Sequence, residues 1–426
     1  MRRRATLRTL GLATLAARTL GVAPMLGGCG DDEPPRDATI TLGPWPVMPT
    51  ARSIAIWCET DVAPEDAEIV GVGTAPFEAI ADGLFLARIE GLTPDTEHRF
   101  VVRAGDATHE GSFRTMPERD GLVRFAIGAD IHPDSAPYVA FDRIRALSPH
   151  LYLGLGDQVY ADLDPSGMIP ATRDGYEALY RRTWDDDALR ACWANVPTLL
   201  VWDDHESWND FDGTLDAERT EVARDAYERM QRSRSPSNEE WTVLDAGPAS
   251  LFVLDTRTFR SPNVALDGPR KTMLGDAQLA ALITWLETSD APLRVIASPT
   301  PLHRYADTGL DAWAHGFAFE RDVILRAIEA NDPSTVLVVS GDQHWPAVVE
   351  LPLPGGGTVL ELQCTPTAAF FRGAPAPETL GPDALFVGRD QRGFGWLEID
   401  GATAPPTISF AWIDELGTER FALVRP

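Results

Sequence analysis

Two hydrophobic patterns divide the chain. Between residues 38 and 117, apolar and polar positions alternate in short runs: Ile40–Leu42, Ser53–Cys58, Ile69–Val72, Phe85–Ile89 and Arg99–Arg103. Turn signals such as Thr93-Pro94-Asp95 and Gly105-Asp106 separate them. Alternation at this spacing predicts a small β-sandwich. From Leu122 the apolar runs become unbroken, and amphipathic stretches lie between them. VRFAIGA (123–129) precedes 137–147, LYLGLG (151–156) precedes 175–190, and TLLVW (198–202) precedes 215–231. SLFVLD (250–255), LRVIAS (293–298) and TVLVVSG (335–341) continue the series, with amphipathic stretches at 275–287 and 319–330. Such alternation predicts an α/β domain over 121–426 with strands buried on both faces. After Val348 the pattern turns mostly β, with strands expected at Thr358–Gln363, Gly395–Ile399 and Ile408–Trp412.

The polar residues that follow these runs carry the chemistry. The first run ends in Asp130-Ile131-His132 and the second in Asp157-Gln158-Val159-Tyr160. The third ends in Asp203-Asp204-His205-Glu206 and the last in Asp342-Gln343-His344. The carboxyl ends of strands in an open α/β sheet converge on one crevice. One Asp-x-His or Gly-Asp is weak, since either is often a turn or a helix cap. Four in order make a cluster of oxygen and imidazole donors that suits Fe, Mn or Zn better than thiolate chemistry. So many carboxylates in one pocket repel each other without cations.

Composition narrows the partners. The 426 residues carry 64 acidic and 37 basic side chains, a formal charge of −27. Nucleic-acid binding by phosphate neutralisation is excluded on that balance. The first residues run against it: Arg2, Arg3 and Arg4 precede a mildly apolar stretch from Leu7 to Leu26 that Arg18 interrupts. Residues 1–28 resemble a bacterial lipoprotein signal, with Leu26-Gly27-Gly28-Cys29 as the lipobox and Arg3-Arg4 as a twin-arginine export element. This implies acylation of Cys29, a membrane partner through that anchor, a polar tether over 29–37, and a place in the cell envelope, periplasmic or outer-surface. Cys58, Cys192 and Cys364 remain in the mature chain, an odd count that opposes a full disulfide framework and leaves a Cys192–Cys364 bridge open.

The order DIH, GDQVY, DDHE, GDQH resembles the calcineurin-like metallophosphoesterases, and among them the alkaline phosphatase D (PhoD-like) branch. LDTRTFR (254–260) and MLGDAQL (273–279) agree with it, as does the segment GLTPDTEHRFVVRAG…GSFRTMP ahead of the larger domain. The resemblance implies an α/β fold in which a fibronectin type III-like β-sandwich over 38–117 precedes a four-layer α/β/β/α metallophosphoesterase domain over 121–426. One departure is clear: Ala129-Asp130 stands where the branch carries Ser-Cys, whose cysteine is an iron ligand.

For the site, the resemblance implies metal ligands Asp130, His132, Asp157, Tyr160, Asp204, Asp342 and His344, with Asp157 bridging two cations and Tyr160 as a tyrosinate. Fe(III) and Ca(II) are the first expectation for the ions, and Mn(II) or Zn(II) the next. His205 is the expected catalytic histidine, oriented by Asp203 or Glu206. His303, Asn209 and Arg257 are expected near metal or substrate, their roles open between that and packing or ion pairing. The implied activity is hydrolysis of small phosphate or phospholipid-type esters by a metal-bound hydroxide, in a monomer. Two alternatives are a phosphodiesterase or phospholipase D-like enzyme and a non-catalytic metal-binding surface lipoprotein.

Overall fold

A computed structural model describes residues 40–163, 170–212, 217–306 and 309–426. The expected signal segment 1–28, Cys29 and the tether 29–37 lie outside the described residues. Among the described residues, no helix is long and apolar enough to cross a membrane.

Seven strands come first: β1 (Ile40–Val47), β2 (Ser53–Thr60), β3 (Asp66–Ile69), β4 (Gly73–Ala81), β5 (Leu84–Glu90), β6 (Glu97–Ala104) and β7 (Ala107–Arg114). Then β8 (Leu122–Gly128), α1 (Val139–Leu147), β9 (Leu151–Leu155), α2 (Arg173–Thr183), α3 (Asp187–Trp193), β10 (Thr198–Val201) and α4 (Ala217–Met230) follow. The next elements are β11 (Thr242–Ala246), β12 (Ala249–Val253), α5 (Gly275–Thr288), β13 (Leu293–Ser298), α6 (Trp313–Gly316), α7 (Ala318–Ala330) and β14 (Val336–Ser340). The chain closes with β15 (Ala347–Pro352), β16 (Thr358–Gln363), β17 (Ala384–Val387), β18 (Gly393–Asp400), β19 (Thr407–Asp414) and β20 (Glu419–Arg425).

The apolar runs form the strands predicted for them except Ile69–Val72: β3 ends at Ile69, and residues 70–72 turn the chain into β4, with the Val72 amide donating to the Ile69 carbonyl at 3.0 Å. The amphipathic stretch 175–190 is two helices instead of one. After α2 ends, the carboxylate of Asp186 accepts from the amides of Ala188 and Leu189 and starts α3 as an N-cap.

The strands form two large sheets. One has thirteen strands in the order β20-β19-β18-β8-β9-β10-β1-β2-β5-β4-β3-β6-β7, and the other seven, β11-β12-β13-β14-β16-β15-β17. Buried strands feed two cores, one on each face. Phe125, Leu153 and Leu199 pack with Leu251, Val295 and Leu337, so the two sheets share a core. On the far side of the first sheet, Ala126, Tyr152 and Leu200 meet Phe141, Tyr180, Trp193 and Met230 of α1–α4. On the far side of the second, Phe252, Ile296 and Val338 meet Leu282, Leu286, Ile324 and Ile328 of α5 and α7. The first strands have their own core, with Ile54, Ile56, Ile69, Phe100 and Val102.

The joint between the first strands and the rest is specific. Val47 of β1 pairs in parallel with Thr198 of β10, which joins the early strands to the central sheet. Beneath that joint Arg234 is buried, its guanidinium carbon 4.9 Å from the ring centres of both Trp45 and Trp193, 5.3 Å from Trp57 and 5.4 Å from Trp184. Its Nη2 donates to Thr198 Oγ1, and burial pulls its pKa down to about 9. Cation–π attraction is strongest when the cation is desolvated. Arg234→Ala is therefore expected to cost about 3 kcal/mol, as large-to-small core changes do. Arg234→Met should cost less, because it keeps the volume and removes a buried charge. Thermal unfolding of both variants checks this, and equal losses would contradict it.

Cys58, Cys192 and Cys364 are free and buried. The bridge left open by the sequence is not formed: Cys192 sits among the helices on the first sheet and Cys364 in the core between the sheets.

Candidate active site

The four strand ends meet. Asp130 and Asp157 follow β8 and β9, Asp204 follows β10, and Asp342 and His344 follow β14. Each of Asp130, Asp157, Asp342 and His344 has left-handed backbone, with φ of 63°, 54°, 74° and 57°. Aspartate tolerates this region better than most residues, and such local strain concentrates at functional sites. The preceding glycines are needed for close approach. A side chain on Gly156, itself at φ +90°, would lie 2.5 Å from Asp203 Cβ, and one on Gly341 would lie 2.5 Å from the Leu155 carbonyl.

Two groups of donors share one residue. Ligand atoms of Asp130, Asp157 and His344 lie within 4.8 Å of one another, as do those of Asp157, Asp204 and His205. All five side chains are buried. Tyr160 closes the first group: its hydroxyl donates to Asp130 Oδ1 at 3.1 Å and lies 2.8 Å from His344 Nε2. His344 Nδ1 meets the carbonyl of Phe370 at 2.6 Å, which leaves Nε2 facing the group. Thr365 Oγ1 donates to Asp130 Oδ2.

Burial pushes the Asp157 carboxyl far above the usual range, and Asp204, Asp130, Glu206 and Asp203 push it the same way. Tyr160 is raised by burial and then by Asp130, Asp157 and Asp204. Burial also works against ionised Asp204, but His205 and Arg257 outweigh it and hold that carboxyl low. Asp157 Oδ2 and Asp204 Oδ1 are buried with no hydrogen-bond partner among the described residues. Buried polar atoms are seldom left unpaired, and buried charges are normally paired or bound to metal. Two orphaned carboxylate oxygens in an acidic cluster thus fit the cations that its donor chemistry implies.

His205, a member of the second group, is tied to Asp157 and Asp162. Its Nδ1 is 2.7 Å from Asp162 Oδ1, and its backbone amide donates to Asp157 Oδ1 at 3.1 Å. Burial opposes its charged form, but Asp204 and Asp162 outweigh that and raise its pKa. The sequence reading assigned its orientation to Asp203 or Glu206, and the structure corrects this to Asp162. Glu206 instead accepts from the amides of Asp157, Gln158 and Asp203, and so ties together the loops after β9 and β10. Asp203 is held by Arg257 Nε at 2.6 Å. Asp162, two residues beyond Tyr160, carried no motif of its own.

Other expected residues stand apart from the donor groups. His132 is near, its ring centre 5.0 Å from that of Tyr160, but its Nδ1 accepts from the Asp134 amide and caps the turn there. Asp342 is half-buried, with Oδ2 accepting from Gln343 Nε2 at 2.6 Å. Neither belongs to a donor group among the described residues. His303 is buried with Nε2 2.6 Å from Gln363 Oε1, and Nδ1 accepts from the Tyr305 amide. Both of its nitrogens thus serve the fold. Arg257 is an internal ion pair, bound to Asp203 and, at 2.9 and 3.1 Å, to both oxygens of Asp311. A third acidic group, Asp204, Asp210 and Asp311, includes an Asp311 already held by Arg257 and Arg260. Asn209 sits at the rim, its amide donating to Asp162 Oδ2 at 2.9 Å.

The model of the PhoD-like phosphatases matches residues 125–384, which include all four motifs, and the chain belongs to that family. Alkaline phosphatase D of Bacillus subtilis (strain 168) is 23% identical over 310 residues, 60% of this chain. The match spans 52% of that protein, so about half of the relative's length is covered. The solved structure of PhoD has the same fold, with a TM-score of 0.77 at 20% identity over 91% of this chain and 88% of that one.

Proposed function

We propose that this chain is a metal-dependent phosphoesterase that hydrolyses small phosphate esters. One observation carries the reading: two buried donor groups share Asp157, and carboxylate oxygens of Asp157 and Asp204 are left without partners. Asp130, Asp157, Tyr160 and His344 would hold one cation, and Asp157 and Asp204, with Asp342 at the rim, a second. The oxygen-rich donor set favours Fe(III) and Ca(II), with Mn(II) or Zn(II) as alternatives. When bound, such cations neutralise charge on phosphoryl oxygens and provide a nucleophile at neutral pH.

The chain's own residues supply the rest. Asp162 fixes the His205 ring through Nδ1, so Nε2 is the nitrogen free to face the ester. The neighbouring carboxylates favour the imidazolium, which suits it to give its proton to the departing alkoxide. A purely metal-binding protein would have no need of a histidine oriented in this way by Asp162, which weighs against the non-catalytic alternative.

The same reading extends to the architecture and the address. We take β1–β7 as a fibronectin type III-like module and the two sheets between helical layers as the four-layer α/β/β/α arrangement. The cationic N-terminus and Cys29 support export to the cell envelope with a lipid anchor. Cys29→Ser should then release the protein from membranes, and continued tight attachment would defeat the anchor. For the activity, chelation should abolish hydrolysis of nitrophenyl phosphate, and metal readdition should restore it. Hydrolysis that survives complete metal removal would overturn the assignment.

A further inference from the structure

The segment after β16 is held tightly over the candidate centre. Thr367 and Ala368 donate their amides to the carbonyls of Ala129 and Asp130 at 2.8 and 3.0 Å, and the His132 amide donates to the Ala368 carbonyl at 2.9 Å. Phe370 lies with its ring 4.5 Å from that of His344. Two residues on, Arg372 Nη2 donates to Asn209 Oδ1 at 3.3 Å. A chain of contacts thus runs from Arg372 through Asn209 and Asp162 to His205.

Among the described residues Arg372 makes no ion pair, although its charge is felt by Asp342, Asp204, Tyr160 and Asp157. A guanidinium has five donors, and its planar fork matches phosphate oxygens. Arg372 also walls a cavity of 610 Å³ together with Tyr305, Gln343, Trp345, Gly373 and Thr379. No described residue lining it is acidic, whereas the adjoining centre is crowded with carboxylates. The other arginine on its wall, Arg304, is already paired with Asp383 at 2.8 Å and rests 4.9 Å from the Tyr305 ring centre.

We propose that Arg372 anchors the phosphoryl group of the substrate and that this cavity receives the alcohol part, so that the preferred substrates are phosphate esters of planar, ring-bearing alcohols. The proposal rests on the phosphoesterase reading. Anionic phosphoryl oxygens would take the guanidinium donors that no carboxylate occupies, and an aryl group would lie against Tyr305 and Trp345.

The test uses the full, metal-loaded chain and three ligands whose C–P or inorganic phosphate groups cannot be hydrolysed as esters. Calorimetry should show phenylphosphonate binding about tenfold tighter than methylphosphonate, with inorganic phosphate close to the latter. Arg372→Gln should weaken all three by roughly tenfold or more, and Arg372→Lys by less. Thr379→Trp, which fills the cavity, should erase the advantage of the phenyl group. Unchanged binding in Arg372→Gln would overturn the anchor. Equal affinity for phenyl and methyl ligands, or a phenyl preference that survives Thr379→Trp, would overturn the alcohol subsite. If wild-type enzyme hydrolyses nitrophenyl phosphate while these binding results fail, only this proposal falls. If it hydrolyses no ester, the phosphoesterase reading fails and takes the proposal with it.

Discussion

Asp157→Asn should lower phosphatase activity by roughly a thousandfold or more, since several kcal/mol of transition-state stabilisation depends on the cations. Asp157 is the residue common to both donor groups, and its Oδ2 has no hydrogen-bond partner among the described residues. Asparagine keeps the oxygen that accepts from the His205 amide, so the loop should keep its shape. The stability of the variant should reverse sign with metal. Without cations, Asp157→Asn relieves repulsion from Asp204 and Asp130 and should melt higher than the wild type. With metal at about a thousand times its dissociation constant, the wild type should gain about 4 kcal/mol and the variant much less. Activity, metal content and melting with and without chelator measure this. A variant that retains both metal and activity would remove Asp157 from the centre.

The second large effect should come from His205→Ala. General acid catalysis contributes roughly a hundredfold to ten-thousandfold, and the loss should be greatest for an alkyl phosphate, whose leaving group most needs a proton. A nitrophenyl ester should suffer less. Asp162→Asn should reproduce part of the loss, because the carboxylate 2.7 Å from the ring that favours its charged form would become a neutral amide. Metal content should hold in both variants. If His205→Ala instead loses metal, His205 is a ligand and the proton donor lies elsewhere.

Much of this site was legible because each chemical residue follows an unbroken apolar run, and such runs become buried strands whose ends share a crevice. Asp130, Asp157, Asp204 and His344 were found that way. The same signal also drew in His303, which follows β13, while Arg257 entered through the LDTRTFR agreement after β12. Sequence position fixes the strand end but not the direction of the side chain. Arg257 turns to Asp203 and Asp311, and His303 to Gln363. Asp162 was missed because it follows its strand by several residues within a loop. Arg372 was missed because its place depends on backbone pairing between Thr367–Ala368 and Ala129–Asp130, contacts remote in sequence. β4 is largely exposed, so it shows no long unbroken apolar run to read. The break between α2 and α3 was hidden because the apolar periodicity carries across the capping Asp186.

The pairing of β1 with β10, and the tryptophan box around Arg234 beneath it, bear on how this architecture can change in evolution. The early strands share part of their interior with the hydrolase body: Trp45 and Trp57 come from one side of the boundary, and Trp184, Trp193 and Arg234 from the other. A recombination event that swapped residues up to about 117 for those of a distant relative would strand a buried guanidinium among mismatched rings. The two portions are therefore expected to be inherited as a matched set instead of shuffled as cassettes.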